Sequence, residues 1–495
     1  MWGALLARSA VSLKFYYPSS RRQCLVAVLE LTRPGNGKQP CQACSHLGIP
    51  CSFRPRGSSA ASRSKCKRGG VISSLKPPKE NGASATPPPL AICPQGSRSR
   101  GRLGFAVDAD FLLELLPNYR QFVYSICPVI RHEDIRDSIN RFSDEADHGA
   151  FCYAYAAVTV ALAAATDPRK TPEFIGELIS RALRLRPAID HRSQITLKRV
   201  VFAVFLRVAF GVLQDRDMDF FYLREAITML QMLQLDRPHA SVTTDSTRPA
   251  WQRLHWIVFI QERVSAVCNE RAAALVAPDD SPFSDDELAP HLQRGFIRIS
   301  ELYRLVDEEF LRIWRDKQHS SALTLEWITE KQRALEEQHA LVEEACPHLT
   351  ELQQSDLLLT SQWLRTLVWQ MAGYKYMLHS DAVQDYLLLL FPIQGSLYVG
   401  NILRKIGRES LDQQGAGNLQ KLFDITTCAA DVVSLSAKHQ DRRDVLHWVE
   451  NCRYLIRYLQ EFRNLGSGQR YILLQKLETL DSLLSPEESA PTHGN

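Results

Sequence analysis

Across 495 residues the sequence holds few of the features that mark an enzyme, a membrane protein or a secreted one. No H-E-x-x-H, P-loop or G-x-S-x-G segment occurs, which removes the commonest metalloprotease, nucleotide-hydrolase and serine-hydrolase signatures. The 14 histidines show no ligand spacing. The longest uncharged run, from Phe151 to Thr166, is rich in alanine. It is shorter than the roughly 20 residues a bilayer demands, so it reads as a buried helix and no membrane partner is expected. Strand-like alternation is nearly absent, and no repeat of 34 to 45 residues is visible, which argues against a solenoid. Acid is scarce at one end: residues 1–105 carry 17 Lys or Arg against only Glu30 and Glu80. The rest carries 42 Lys or Arg against 53 acids. A basic arm on an acidic body points to a polyanionic partner at one end. Most of the 12 cysteines are scattered among apolar neighbours, which fits a reducing compartment and no disulfide framework.

What is present divides the chain into regions. Residues 1–33 are mixed, with Arg8, Lys14, Arg21 and Arg22 free of acid until Glu30, a pattern shared with mitochondrial presequences. Residues 34–56 are rich in Gly, Pro and Cys. Residues 57–104 are low-complexity Ser, Pro, Lys and Arg, including Pro87, Pro88 and Pro89, and read as a linker. From 105 to 485 apolar residues recur at helical spacing, and 486–495 read as a tail. The periodicity predicts helices over 111–123, 199–213, 220–235, 251–267, 302–314, 335–346, 358–378, 423–435 and 445–462. Breakers fall at Asp167–Pro168, Asp236–Pro238, Pro278–Pro290 and Pro347. The fold class expected is all-α, with ten or more helices. Leu473, Leu477, Leu480 and Leu484 form a packing face rather than a coiled coil. His132, Glu133 and Asp134 read as a helix N-terminal surface. Asp279, Asp280, Asp285, Asp286 and Glu287 depart from D-D-x-x-D metal spacing at Phe283 and read as an acidic loop.

The richest chemistry lies in Cys41, Cys44 and Cys51, a C-x2-C-x6-C spacing. Two cysteines separated by two residues can face one metal from the start of a helix, and the third closes from the next turn. Soft thiolates are what tetrahedral zinc favours. Pro40-Cys41, Cys44, Leu47-Gly48-Ile49-Pro50-Cys51 and Phe53 resemble the second half of the fungal zinc binuclear cluster. That resemblance implies zinc as cofactor, Cys41 bridging two zincs, Cys44 and Cys51 as terminal ligands, and double-stranded DNA as partner through a helix in the major groove. The first cysteine half and its base-reading helix are absent: upstream stands only Cys24, at the wrong spacing. Either the recorded start replaces that half or the protein has lost it. Lys38, Arg54, Arg56, Arg63, Lys65, Lys67 and Arg68 suit contacts to DNA phosphates. Lys65, Lys67 and Arg68 also suit nuclear import.

Two further segments resemble the middle homology region of the same family, nearest the branch of starch- and maltose-use activators. One is Phe221-Tyr-Leu-Arg-Glu-Ala226. The other is Trp251-Gln-Arg-Leu-His-Trp-Ile-Val-Phe-Ile-Gln-Glu-Arg263. Trp251, Leu254, Ile257 and Val258 share a face that can bury against Leu223, Ile227 and Leu230. Arg224, Glu225, Glu262 and Arg263 either pair or solvate helix surfaces. The resemblance implies a nuclear regulator of transcription by RNA polymerase II, more often an activator. It implies contacts with the transcription machinery and a possible homodimer. Its targets would be a secondary-metabolite cluster or a carbohydrate-use pathway. Two other readings stand beside it: a helical regulator without DNA binding of its own, acting by dimerisation, and an all-α mitochondrial enzyme.

Overall fold

In the computed structural model the described residues run from 107 to 484, apart from 164–165, 188–194, 234–246, 279–287, 376, 381, 407–415 and 463–464. They are helical almost throughout. A lone bridge pairs His379 with Leu388, and there is no strand among the described residues. The all-α expectation holds.

The chain enters through α1 (Ala109–Glu114), capped by the Asp108 carboxylate, which accepts from the Phe111 amide at 2.9 Å. Periodicity predicts one helix over 111–123. Instead Pro117, which has no amide hydrogen to donate, interrupts it, and the chain continues as a wide π turn over Tyr119–Val123. Then follow α2 (His132–Asn140), α3 (Ala146–Leu162), α4 (Pro172–Leu185), α5 (Leu197–Val212), α6 (Arg216–Met232) and α7 (Arg248–Asn269). The triad His132, Glu133 and Asp134 occupies the first turn of α2, where carboxylates meet the positive end of the helix. The alanine-rich run is α3, ending at Leu162, and it packs against α2, α4 and α5. Small side chains let those neighbours approach closely. On α6 and α7, Leu223, Ile227, Leu230, Trp251, Leu254, Ile257 and Val258 are all buried in one core, as their spacing predicts.

The second half runs α8 (Pro290–Arg304), α9 (Glu308–Arg315), α10 (Leu325–Ala345), α11 (Glu351–Tyr374), α12 (Phe391–Lys405), α13 (Ala416–Ser436), α14 (Arg442–Gln460) and α15 (Ser467–Ser482). The stretch 302–314, predicted as one helix, is two. Asp307 accepts from the Phe310 amide at 2.7 Å and starts α9 afresh. Pro347 lies in the single 3-10 turn that ends α10. At the start of α11 Thr350 and Gln353 form a reciprocal capping box. α11 packs on α10, α12 and α13, and α13 in turn on α14 and α15. On α15 Leu473 and Leu480 are buried and Leu477 and Leu484 pack on the core, so this is an ordinary packing face.

Candidate functional site

Every residue singled out for zinc, phosphate or import lies outside the described residues: Lys38, Cys41, Cys44, Cys51, Arg54, Arg56, Arg63, Lys65, Lys67 and Arg68. So do the acids between 279 and 287. What the structure describes is the chemistry of the helical body.

Its first polar centre is on α7. Glu262 and Arg263 are adjacent, and both are almost fully buried. The Glu262 carboxylate accepts from the amides of Ala274 at 2.8 Å and Leu275 at 2.9 Å. The Arg263 guanidinium donates to the Leu275 carbonyl at 2.6 Å and stacks 4.2 Å from the Phe259 ring centre. Burial lowers the Arg263 pKa, against the pull of Glu262. Together the two side chains hold the segment after α7 as a second strand would, since that stretch has no helix to satisfy its amides. Arg224 on α6 reaches Glu262 at 3.4 Å, while Glu225 takes a two-pronged ion pair from Arg186. All four charges therefore join elements, and none serves merely to solvate a helix surface.

The second centre lies where α10, α11 and α12 meet. Ser361 Oγ is 3.0 Å from His339 Nδ1, and Glu343 Oε1 is 3.6 Å from His339 Nε2. Tyr398 donates its hydroxyl hydrogen to Glu343 at 2.7 Å. A serine, a histidine and a carboxylate in this order look like a hydrolase relay. Yet Ser361 is 0% exposed, so no substrate carbonyl can reach it. Burial lowers the His339 pKa and Arg365 adds to this, with Glu343 and Glu336 partly offsetting them. The neutral imidazole acts here as a structural hydrogen-bonding group.

Nearby, the buried Lys421 ammonium donates to Asp356 at 3.1 Å and to Thr360 at 2.7 Å. Burial alone would lower its pKa, but Asp356 and Tyr303 hold it above the ordinary lysine value. Trp363 donates to Asp424 at 3.0 Å, and Lys476 pairs with Asp431. These residues carry little local signal in the sequence. The available signal was a lysine on a buried stripe, as Lys476 lies between Leu473 and Leu480 on α15.

Cys127, Cys152, Cys428 and Cys452 are buried, and burial pushes each thiol up to about 12. They are packing groups, not nucleophiles. Among the described residues no group of three His, Cys, Asp or Glu could hold a metal, and no helix is long and apolar enough to cross a membrane.

No family model matches the chain. Among curated proteins it is similar to the probable sucrose utilization protein SUC1 of Candida albicans, 22% identical over 338 residues. The match takes in 66% of this chain and spans 65% of the length of that relative.

Proposed function

We propose that this protein is a nuclear, sequence-specific DNA-binding regulator of RNA polymerase II genes, an activator of a carbohydrate-use pathway. The similarity to a sucrose utilization protein carries the reading and favours carbohydrate use over a secondary-metabolite cluster. The basic arm supports it independently. Lys38, Arg54, Arg56, Arg63, Lys65, Lys67 and Arg68 would neutralise phosphates, and Lys65, Lys67 and Arg68 would serve import. Cys41, Cys44 and Cys51 would hold zinc through thiolates, which fixes the segment that carries these cations. Three thiolates leave a tetrahedral ion one ligand short, so about one weakly held zinc per chain, or none, is expected. The body is built of packing helices, and its Ser361–His339 pair and its thiols at Cys127, Cys152, Cys428 and Cys452 are buried as packing groups, which suits a regulatory part.

A second reading has its own support: only three of the six cysteines of a full cluster are present. The protein would then regulate through partner contacts or self-association, without touching DNA itself.

Binding of the full chain to duplex DNA, followed by fluorescence anisotropy with zinc present, separates the two. Seven phosphate contacts predict a slope of about −6 in log K against log salt. Replacing Lys65, Lys67 and Arg68 with alanine should cut that slope by about 3, and Cys41→Ser with Cys44→Ser should remove zinc. Absence of any duplex binding at low salt overturns the first reading in favour of the second.

A further inference from the structure

We propose that a cleft between the 117–125 segment and the N-terminal ends of α2, α8 and α11 binds a neutral, polyhydroxylated small molecule of mono- or disaccharide size. The cleft has a volume of about 920 Å³, within the range of ligand sites. Its shape follows from features already described. Pro117 and the π turn carry one wall, and three helices start on the other sides.

The lining chemistry selects the ligand class. The lining holds two guanidiniums, Arg120 and Arg131, and two carboxylates, Glu133 and Glu351, so its formal charges sum to zero. Part of that charge is already matched inside the protein: Arg131 lies 3.4 Å from Asp134, and Glu133 lies 2.9 Å from His132. The lining as a whole carries no net charge, and the Arg120 guanidinium, which has no such partner among the described residues, is the group that would favour an anion. Hydroxyl groups, which both donate and accept, suit a ring of mixed donors and acceptors. The Arg120, Gln121 and His291 side chains make no hydrogen bond or ion pair with other described residues and can bond to a ligand. Half-buried Tyr124 offers an aromatic surface, and Leu292 and Leu352 an apolar floor, for the C–H face of a sugar ring.

The N-terminus of α8 is the feature that favours the opposite class. It starts after Ala289 with no capping side chain and no acid in its first turn, so it attracts anions. The test must therefore compare neutral with phosphorylated probes.

The class agrees with the carbohydrate-use reading but rests on the cleft alone. DNA binding is tested through residues 38–68 and ligand binding through the cleft, so either can fail without the other.

The experiment is titration calorimetry of the full chain with sucrose, maltose and glucose, and separately with glucose 6-phosphate and inorganic phosphate. Calorimetry is preferred to thermal shift because sugars at high concentration stabilise proteins as osmolytes without a site. A saturable heat with at least one neutral sugar is expected. Two variants on exposed or half-exposed positions, Arg120→Ala with Gln121→Ala on one wall and His291→Ala on another, should each weaken it about tenfold. Unchanged circular dichroism in both variants shows that the fold is kept. No saturable heat with any neutral sugar, binding by the phosphorylated probes alone, or binding equally strong in both variants overturns the proposal.

Discussion

α3 and α11 are both deeply embedded helices, and they are buried by opposite means. In α3, 14 of 17 residues are buried, and from Gly149 to Leu162 nearly all are apolar or small. The exceptions find backbone acceptors: Thr159 bonds back to the Tyr155 carbonyl, and the Tyr155 hydroxyl reaches the Leu112 carbonyl of α1 at 3.1 Å. In α11, 17 of 24 residues are buried, and among them are Gln353, Ser355, Thr360, Ser361, Gln362 and Thr366. Neighbouring helices bring Lys421 to Thr360, His339 to Ser361 and Asp424 to the Trp363 indole, while Ser355 and Thr366 bond to carbonyls of α11 itself. Deep burial thus rests almost wholly on apolar area in one helix and partly on polar partners from neighbouring helices in the other. An apolar contact tolerates small shifts, whereas a buried polar group left without a partner loses its whole solvation.

The largest effect should come from separating one polar pair at α11. Asp356→Ala leaves the Lys421 ammonium buried with only Thr360 and Tyr303 beside it. A loss of about 3 kcal/mol is expected, somewhat below the cost for a wholly buried pair because Asp356 is partly exposed. Adding Lys421→Met should return most of it, since an apolar side chain of similar length needs no counter-charge. Urea unfolding of the two variants measures both steps. If the double variant is as unstable as Asp356→Ala, the lysine's charge is not what makes this core demanding.

The same contrast explains what could be read from the sequence. α3 was legible because an alanine-rich uncharged run has few alternatives to burial. The α6–α7 seam was legible because its apolar residues repeat at helical spacing. The polar joint was not: Thr360 and Ser361 look like surface residues until Lys421 and His339, 61 and 22 positions away in sequence, are brought beside them. The break between α8 and α9 was lost for a related reason. Apolar spacing runs on through Leu305 and Val306, and the short N-cap signal at Asp307 was outvoted by it. Of the candidate site, the cysteines and the basic arm were read from spacing and charge alone. The charges of Glu262 and Arg263 are plain in the sequence, but whether they pair or face water depends on the 274–275 backbone, which no local pattern reveals.

A smaller effect tests the apolar side of the comparison. Ala154, at the centre of α3, is 0% exposed. Ala154→Leu adds three carbons where α2, α4 and α5 close in, and should cost about 1–3 kcal/mol by overpacking. A urea midpoint that falls at constant slope would show strain within an intact fold. A midpoint left unchanged would mean that α3 has spare room and that its small residues do not set the spacing of its neighbours.

The smallest effect, one of pH, reaches both helices through one histidine each. His148 stands in the first turns of α3, where burial lowers its pKa and Lys198 adds to this, with Glu145 and Asp147 offsetting in part. His339 is lowered by burial and by Arg365, against Glu343 and Glu336. Both groups therefore take up protons less readily in the folded protein than in the unfolded chain, whose histidines titrate near 6.5. Above that pH neither state is protonated and stability is complete. As pH falls below about 6.5, the unfolded chain gains protons first, and stability drops until the folded-state values are passed. Asp167 and Glu177 have pKa values lowered by Arg169 and Arg181 through hydrogen bonds, so their contribution is lost only in the more acidic carboxylate range. Urea midpoints at pH 7.5 and 5.5 isolate the histidine window. His339→Gln, which keeps a hydrogen-bonding group beside Ser361, should flatten the slope more than His148→Gln, because the His339 ring is the more deeply buried and loses more solvation on protonation. A slope reduced equally by the two variants would show that the deeper burial of His339 does not set its penalty for protonation.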